Sequence, residues 1–199
     1  MARAVKVVGE FSLPRRVPSL HLLCASVIGQ SISVKAAQTI VGRFSDAFGG
    51  PESLDARRLI KADREAIRSL GMNGTKAGAI QGIAQVWQEE RWTSESVRLV
   101  PDDVLMERLT AVRGIGPWTV KMFLIFGLRR PDVFPEEDLG VREGLRLMDG
   151  LEARPTAREM LARAEVWRPW RTVGTVLVWQ YLLRSSGTTL EETSSWWKK

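Results

Sequence analysis

The sequence predicts an all-α protein, and three observations carry that prediction. Apolar residues recur at helical spacing, most clearly Ile80, Ile83, Ala84 and Trp87 at i, i+3, i+4 and i+7. Residues that start helices, such as Ser33, Asn73 and the run Pro101-Asp102-Asp103, stand just ahead of such patterns. No stretch alternates apolar and polar side chains with the period of two that a half-buried strand needs.

Taken in order, residues 1–17 are short, basic and interrupted by proline, and no element is predicted there. The apolar run after Ser19, LHLLCASVIG, reads as a buried helix. Ser33 caps the next, whose inward face carries Val34, Ala37, Val41 and Phe44, and Gly49-Gly50-Pro51 breaks it. Short helices are expected near 54–60 and 63–70, the second stopped by Gly71. Asn73 opens the helix of Ile80 and Trp87, and the next turns Val104, Leu105, Leu109 and Val112 inward. Further helices are expected at 137–148, 155–165 and 169–184, with a polar, frayed tail, SSGTTLEETSSWWKK.

Residues 109–141, LTAVRGIGPWTVKMFLIFGLRRPDVFPEEDLGV, organise the rest. A helix ends near Val112, a tight turn follows at Gly114-Ile115-Gly116, and a second helix runs from Pro117 to about Leu128. Proline suits a first turn, where its missing N–H would have had no intrahelical partner. Two glycines let the backbone turn sharply and leave amides pointing outward together. With the positive helix end they form a site for one phosphate of a nucleic-acid backbone. About twenty residues on, Phe134-Pro135-Glu136-Glu137-Asp138 places carboxylates at the start of the next helix.

GIGPWT followed by DVFPEEDLGV resembles the helix-hairpin-helix plus Gly/Pro-Asp signature of DNA base-excision glycosylases, with the AlkA-type 3-methyladenine DNA glycosylases most similar. The resemblance covers roughly residues 18 to 184. It implies a six-helix lobe at 29–128 ending in the helix-hairpin-helix (109–128), a second lobe from 1–28 and 129–199, and a substrate cleft between them. It also implies a short form without the extra N-terminal β domain that such proteins often carry. Duplex DNA containing damaged bases is the implied partner.

The same resemblance assigns Asp138 to catalysis. Breaking an N-glycosidic bond builds positive charge on the sugar, which a nearby carboxylate stabilises, and the same group can position or deprotonate the attacking water. Asp is also a good helix cap, and on the residues alone that reading is the more economical one. Glu136 and Glu137 read as first-turn acids favourable to the helix dipole. In bifunctional relatives the position before the motif's threonine holds the lysine that forms a Schiff base. Here it is Trp118, which cannot form an imine, so a water-using enzyme without lyase activity is expected. Trp118, Met122 and Trp179 are the implied walls of a pocket for a flipped base, Met122 standing where some relatives have an aromatic. Tryptophan faces suit positively charged alkylated purines through stacking and cation–π attraction.

The segment Ile28-Gly29-Gln30-Ser31-Ile32 resembles the family's Gln-containing turn that enters the duplex. Gln30 is assigned to the bases facing the gap, and Ser31 or the bulkier Ile32 to plugging it, with Ile32 preferred. Phosphate contacts are assigned to the amides of Gly114, Gly116 and Trp118, helped by Lys35, Lys76 and Lys121. In some relatives hairpin carbonyls hold a monovalent cation, Na+ or K+, bridging to phosphate; here these would be Thr110, Val112 and Ile115. The arginines of Trp167-Arg168-Pro169-Trp170-Arg171 suit either pairing with acids or contact with DNA.

The bulk composition sets outer bounds. A formal charge of +6 favours an anionic partner. One cysteine, Cys24, excludes an internal disulfide and a four-cysteine iron–sulfur cluster. Absence of a signal peptide and of an apolar run of membrane-spanning length predicts a soluble, cytoplasmic protein, expected to be a monomer. His21, the only histidine, lies in an apolar run and is read as structural. A glycosylase for another lesion and a non-catalytic binder of damaged DNA are the competing readings. Asp138 discriminates the second, because a pure binder has no use for a carboxylate at the scissile bond.

Overall fold

The computed structural model describes residues 2–11, 13, 16–185 and 187. Of the polar tail expected to fray, Ser185 is the last residue of a helix and Gly187 is described; the rest lies outside the described residues. Among the described residues every regular element is helical. The described residues divide into two compact units, one made of those up to residue 13 and from residue 129 onward, the other of residues 16–128.

In the second unit the helices are α2 (Leu20–Ile28), α3 (Val34–Phe48), α4 (Ala56–Lys61), α5 (Arg64–Arg68), α6 (Gly74–Glu89), α7 (Asp102–Thr110) and α8 (Pro117–Met122). A 3-10 turn (Ser96–Leu99) precedes α7, and a π-helical turn (Phe123–Gly127) continues α8. Side chains of Ser19, Ser33, Asp55, Asp63 and Asn73 each accept a first-turn amide, so local chemistry sets these starts. α6 is the axis of the unit: α2, α4, α5 and α7 all pack on it, and Ala77, Ile80, Ile83, Ala84 and Trp87 are buried.

The boundary expected at residue 28 falls at residue 14, so α2 belongs with this unit. All nine of its residues are buried, and it packs on α3, α6, α8 and the π turn. An apolar run with no polar face gives no hint of which neighbours will cover it. Expected inward, Val104 is instead 36% exposed and Val112 only half-buried, while Leu105 and Leu109 are fully buried. Val112 packs against Gly82, where an added Cβ would stand 2.6 Å from Val112 Cγ1.

His21 and Cys24 are both buried on α2. Ser45 Oγ donates to the Val41 carbonyl, so the His21 ring Nε2–H donates to Ser45 Oγ at 2.8 Å. Burial lowers the His21 pKa from 6.5 to about 4 and raises that of the Cys24 thiol. The unfolded chain therefore takes up the His21 proton first on acidification. The contribution of neutral His21 is complete above pH 6.5 and is lost as pH falls from 6.5 toward 4, by about 3 kcal/mol at most. Urea midpoints measured across that window should decline for the wild type and flatten for His21→Gln.

The first unit contains α1 (Ala2–Val8), α9 (Leu139–Asp149), α10 (Ala157–Glu165) and α11 (Arg171–Ser185). α1 corrects the expectation of no element near the N-terminus. Seven residues are too few to be stable alone, but Ala4 and Val8, at i and i+4, are fully buried against Leu177 and Tyr181. A second cluster gathers Phe134, Val141, Leu145, Met160, Ala164 and Val178, with Trp167 and Trp179 at its margin. α9 and α11 meet closely at Gly144, where a Cβ would lie 2.8 Å from the Val178 carbonyl oxygen.

Candidate functional site

The loop 129–138 reaches Asp138 under the control of α11. Thr172 Oγ1 donates to the Arg130 carbonyl (2.6 Å) and accepts from the Val133 N–H (3.0 Å), while the Thr172 N–H donates to the Pro131 carbonyl (3.0 Å). Arg171 grips Asp132 with two guanidinium nitrogens, at 2.6 and 3.0 Å, and holds the Asp132 carboxyl below the usual carboxylate range. Arg168 adds ion pairs to Asp132 and Glu165. Of the two roles open to the WRPWR arginines, pairing with acids is the one these contacts occupy. The Arg168–Pro169 peptide is cis.

Asp138 is the N-cap of α9, its Oδ1 accepting the Val141 N–H at 2.7 Å. The same oxygen accepts the Trp179 indole N–H at 3.0 Å. Trp179 lies two turns beyond Thr172, on the same face of α11. One helix face therefore fixes the loop and then the carboxylate at its end. The group is 8% exposed, and its close neighbour is Gly140, where a Cβ would come within 3.1 Å of Asp138 Oδ1 and 3.4 Å of the indole. Capping and a second, tertiary hydrogen bond thus coexist on one carboxylate. α9 starts at Leu139 rather than 137, so Glu136 and Glu137 precede the helix instead of forming its first turn.

In the other unit, α7 and α8 enclose the hairpin. The Ile115 N–H donates to the Val112 carbonyl at 3.0 Å and closes the turn. Gly114 has φ +94°, a conformation that L side chains rarely adopt, and a Cβ there would crowd Ala79 and Thr75 at 3.3 Å. Ile115 is buried and anchors the hairpin tip. Pro117 takes the first helical position, no side chain caps α8, and the Thr119 N–H donates to the Gly116 carbonyl at 3.1 Å. Trp118 and Lys121 are half-buried on α8. Met122 is only 2% exposed, so it is core packing here rather than an open wall for a ligand.

The Gln-containing turn follows α2 directly. Gln30 donates its side-chain amide to Thr119 Oγ1 (2.8 Å) and to the Gly114 carbonyl (3.4 Å), which ties the turn to the hairpin. Ser31 is in the left-handed region, φ 55°, and Ile32 is 37% exposed beyond it. Lys76, expected near phosphate, has its ammonium on the Ile28 (2.8 Å) and Gln30 (2.6 Å) carbonyls. Lys35 is exposed. Sequence reasoning missed both Thr119, 1% exposed, and this role of Lys76. A signal for Lys76 did exist: a cation in the first turn of α6 opposes the helix dipole and calls for a compensating acceptor.

A family model described as "HhH-GPD superfamily base excision DNA repair protein" matches residues 24–169. DNA-3-methyladenine glycosylase 1 of Schizosaccharomyces pombe is 33% identical over 183 residues, covering 89% of this chain and 80% of that protein. DNA-3-methyladenine glycosylase 2 of Escherichia coli is 28% identical over 179 residues, covering 84% of this chain and 59% of its own length. A solved structure of the S. pombe 3-methyladenine DNA glycosylase in complex with abasic DNA matches with TM-score 0.82 and 32% identity, over 90% of this chain and 89% of that one. The match spans most of the chain, and the chain belongs to the HhH-GPD superfamily of base excision DNA repair proteins.

Proposed function

We propose that this chain is a monofunctional DNA glycosylase that hydrolyses the N-glycosidic bond of alkylated, 3-methyladenine-type bases in duplex DNA. The observation that carries the reading is Asp138, an acid held nearly buried by two N–H donors. As the C1′–N bond breaks, its electron pair leaves with the base and the sugar becomes cationic. The carboxylate stabilises that charge, and water adds its oxygen to C1′ and gives up a proton to the Asp138 carboxylate. A positively charged alkylated base becomes neutral on leaving, so it needs little acid catalysis. The names of the similar proteins support this substrate class.

Trp118 takes the place of the Schiff-base lysine, so the product is an intact strand with an abasic site. Trp118 and Trp179 are the aromatic faces offered to the flipped base, and Ile32 is the wedge that replaces it in the stack. Gly114, Gly116 and Lys121 serve phosphate. The carbonyls of Thr110, Val112 and Ile115, hard oxygen donors, would hold a bound Na+ or K+. The protein acts as a monomer without an iron–sulfur cluster.

Methylated duplex DNA tests the reading. Free 3-methyladenine should appear, and strand scission only after alkali is added. Scission without alkali would overturn the water-using mechanism, and no base release from any alkylated substrate would overturn the substrate class.

A further inference from the structure

The turn after α2 is clamped from two sides. From α6, the Lys76 ammonium donates to the Ile28 and Gln30 carbonyls, at 2.8 and 2.6 Å. From the hairpin side, Thr119 Oγ1 and the Gly114 carbonyl accept the Gln30 amide. Ile28 is the last residue of α2, so Lys76 also places its charge at the negative end of that helix. Between the clamps the chain turns through Ser31 in the left-handed region and exposes Ile32. A branched apolar side chain on such a turn acts as a wedge only if the turn itself resists displacement.

On the glycosylase reading above, we propose that Lys76 is a positioning residue that fixes the Gln30–Ile32 turn against the hairpin and so lets the protein tell a gapped or lesion-bearing duplex from an intact one. Its charge serves two backbone oxygens, not a DNA phosphate. Burial lowers the Lys76 pKa, consistent with an ammonium partly withdrawn from solvent.

The test compares the full-length wild type with Lys76→Met, Lys76→Arg and Gln30→Ala on two duplexes, identical except that one carries a single abasic site. The readouts are the affinity ratio for the two duplexes, its salt dependence, and the fluorescence of 2-aminopurine beside the abasic site. Lys76→Met should reduce the preference for abasic DNA about tenfold, with affinity for intact DNA and the salt slope unchanged. The 2-aminopurine signal should drop, Lys76→Arg should recover part of both effects, and Gln30→Ala should act in the same direction. An equal loss on both duplexes with a salt slope reduced by about one would make Lys76 a phosphate contact and overturn the proposal. An unchanged ratio despite a lowered melting temperature would make it merely structural and also overturn it, as would a wild type with no preference for the abasic duplex. Should Lys76→Met fail to fold, Lys76→Arg and Gln30→Ala decide the outcome by the same readouts. None of these readouts requires catalysis, so a wild type that prefers abasic DNA but releases no base would refute the proposed activity and leave this inference standing.

Discussion

Asp138→Asn is expected to lower base release from alkylated duplex DNA by about 10²-fold or more while leaving folding and DNA binding in place. Asparagine caps helices about as well as aspartate, so the Val141 N–H keeps an acceptor and α9 keeps its start. The Trp179 N–H can likewise be met by the amide oxygen. What is lost is the negative charge facing the developing cation. Asp138→Ala separates the two roles: it removes cap and charge together, and should cost about 1 kcal/mol of stability or somewhat more besides activity. Single-turnover base release, urea unfolding and binding to abasic DNA, measured on all three proteins, distinguish the outcomes. Full activity in Asp138→Asn would show that the carboxylate only caps.

Gly144→Ala is expected to destabilise the protein by about 1–3 kcal/mol, although alanine is the better helix former by about 1 kcal/mol. The added methyl would stand 2.5 Å from Val178 Cγ1 and 2.8 Å from the Val178 carbonyl oxygen. A side chain can rotate away, but a backbone oxygen inside a helix moves only with its helix. α9 must then shift against α11, and Trp179, the residue after Val178, shifts its hold on Asp138. A melting temperature lower by several degrees, with base release reduced at temperatures where the protein remains folded, is the expected pair of results. Gly78→Ala is the control on α6: its nearest new contact, with the Arg64 guanidinium, is 3.7 Å away. That variant should be neutral or more stable. Equal melting temperatures for Gly144→Ala and wild type would show that α9 and α11 are less tightly apposed than their geometry states.

What was readable from the chain in advance was what neighbours in sequence decide. Ser33 and Asn73 mark helix starts because caps act within one turn, whereas the stop expected at Gly71 falls earlier, α5 ending at Arg68 with Ser69 as its C-cap. The Ile80–Trp87 face was legible because one helix period sorts buried from exposed positions. The hairpin GIGPWT and the aspartate after it were legible because turn chemistry and a signature are local strings.

The rest needed distance in three dimensions. α1 is a helix only because Leu177 and Tyr181 cover it, and α2, apolar all round, gave no sign of which unit would bury it. Val104 missed the core because a helix too short for a wide apolar face buries only the residues its neighbours reach, and Val112 lies past the end of α7. Asp138 could be named as an acid beside a helix start. Only the fold placed Trp179, 41 residues away, on the same oxygen, and Arg171 and Thr172 on the loop leading to it. Lys76 reads in sequence as one more surface cation, yet the fold brings it to carbonyls 46 and 48 residues away. Sequence alone determined the helical class, the helix starts at Ser33 and Asn73, and the motif, because short-range sterics and hydrogen bonding act there. Tertiary structure alone decided which groups share a hydrogen bond, because such pairs form when packing brings distant segments together.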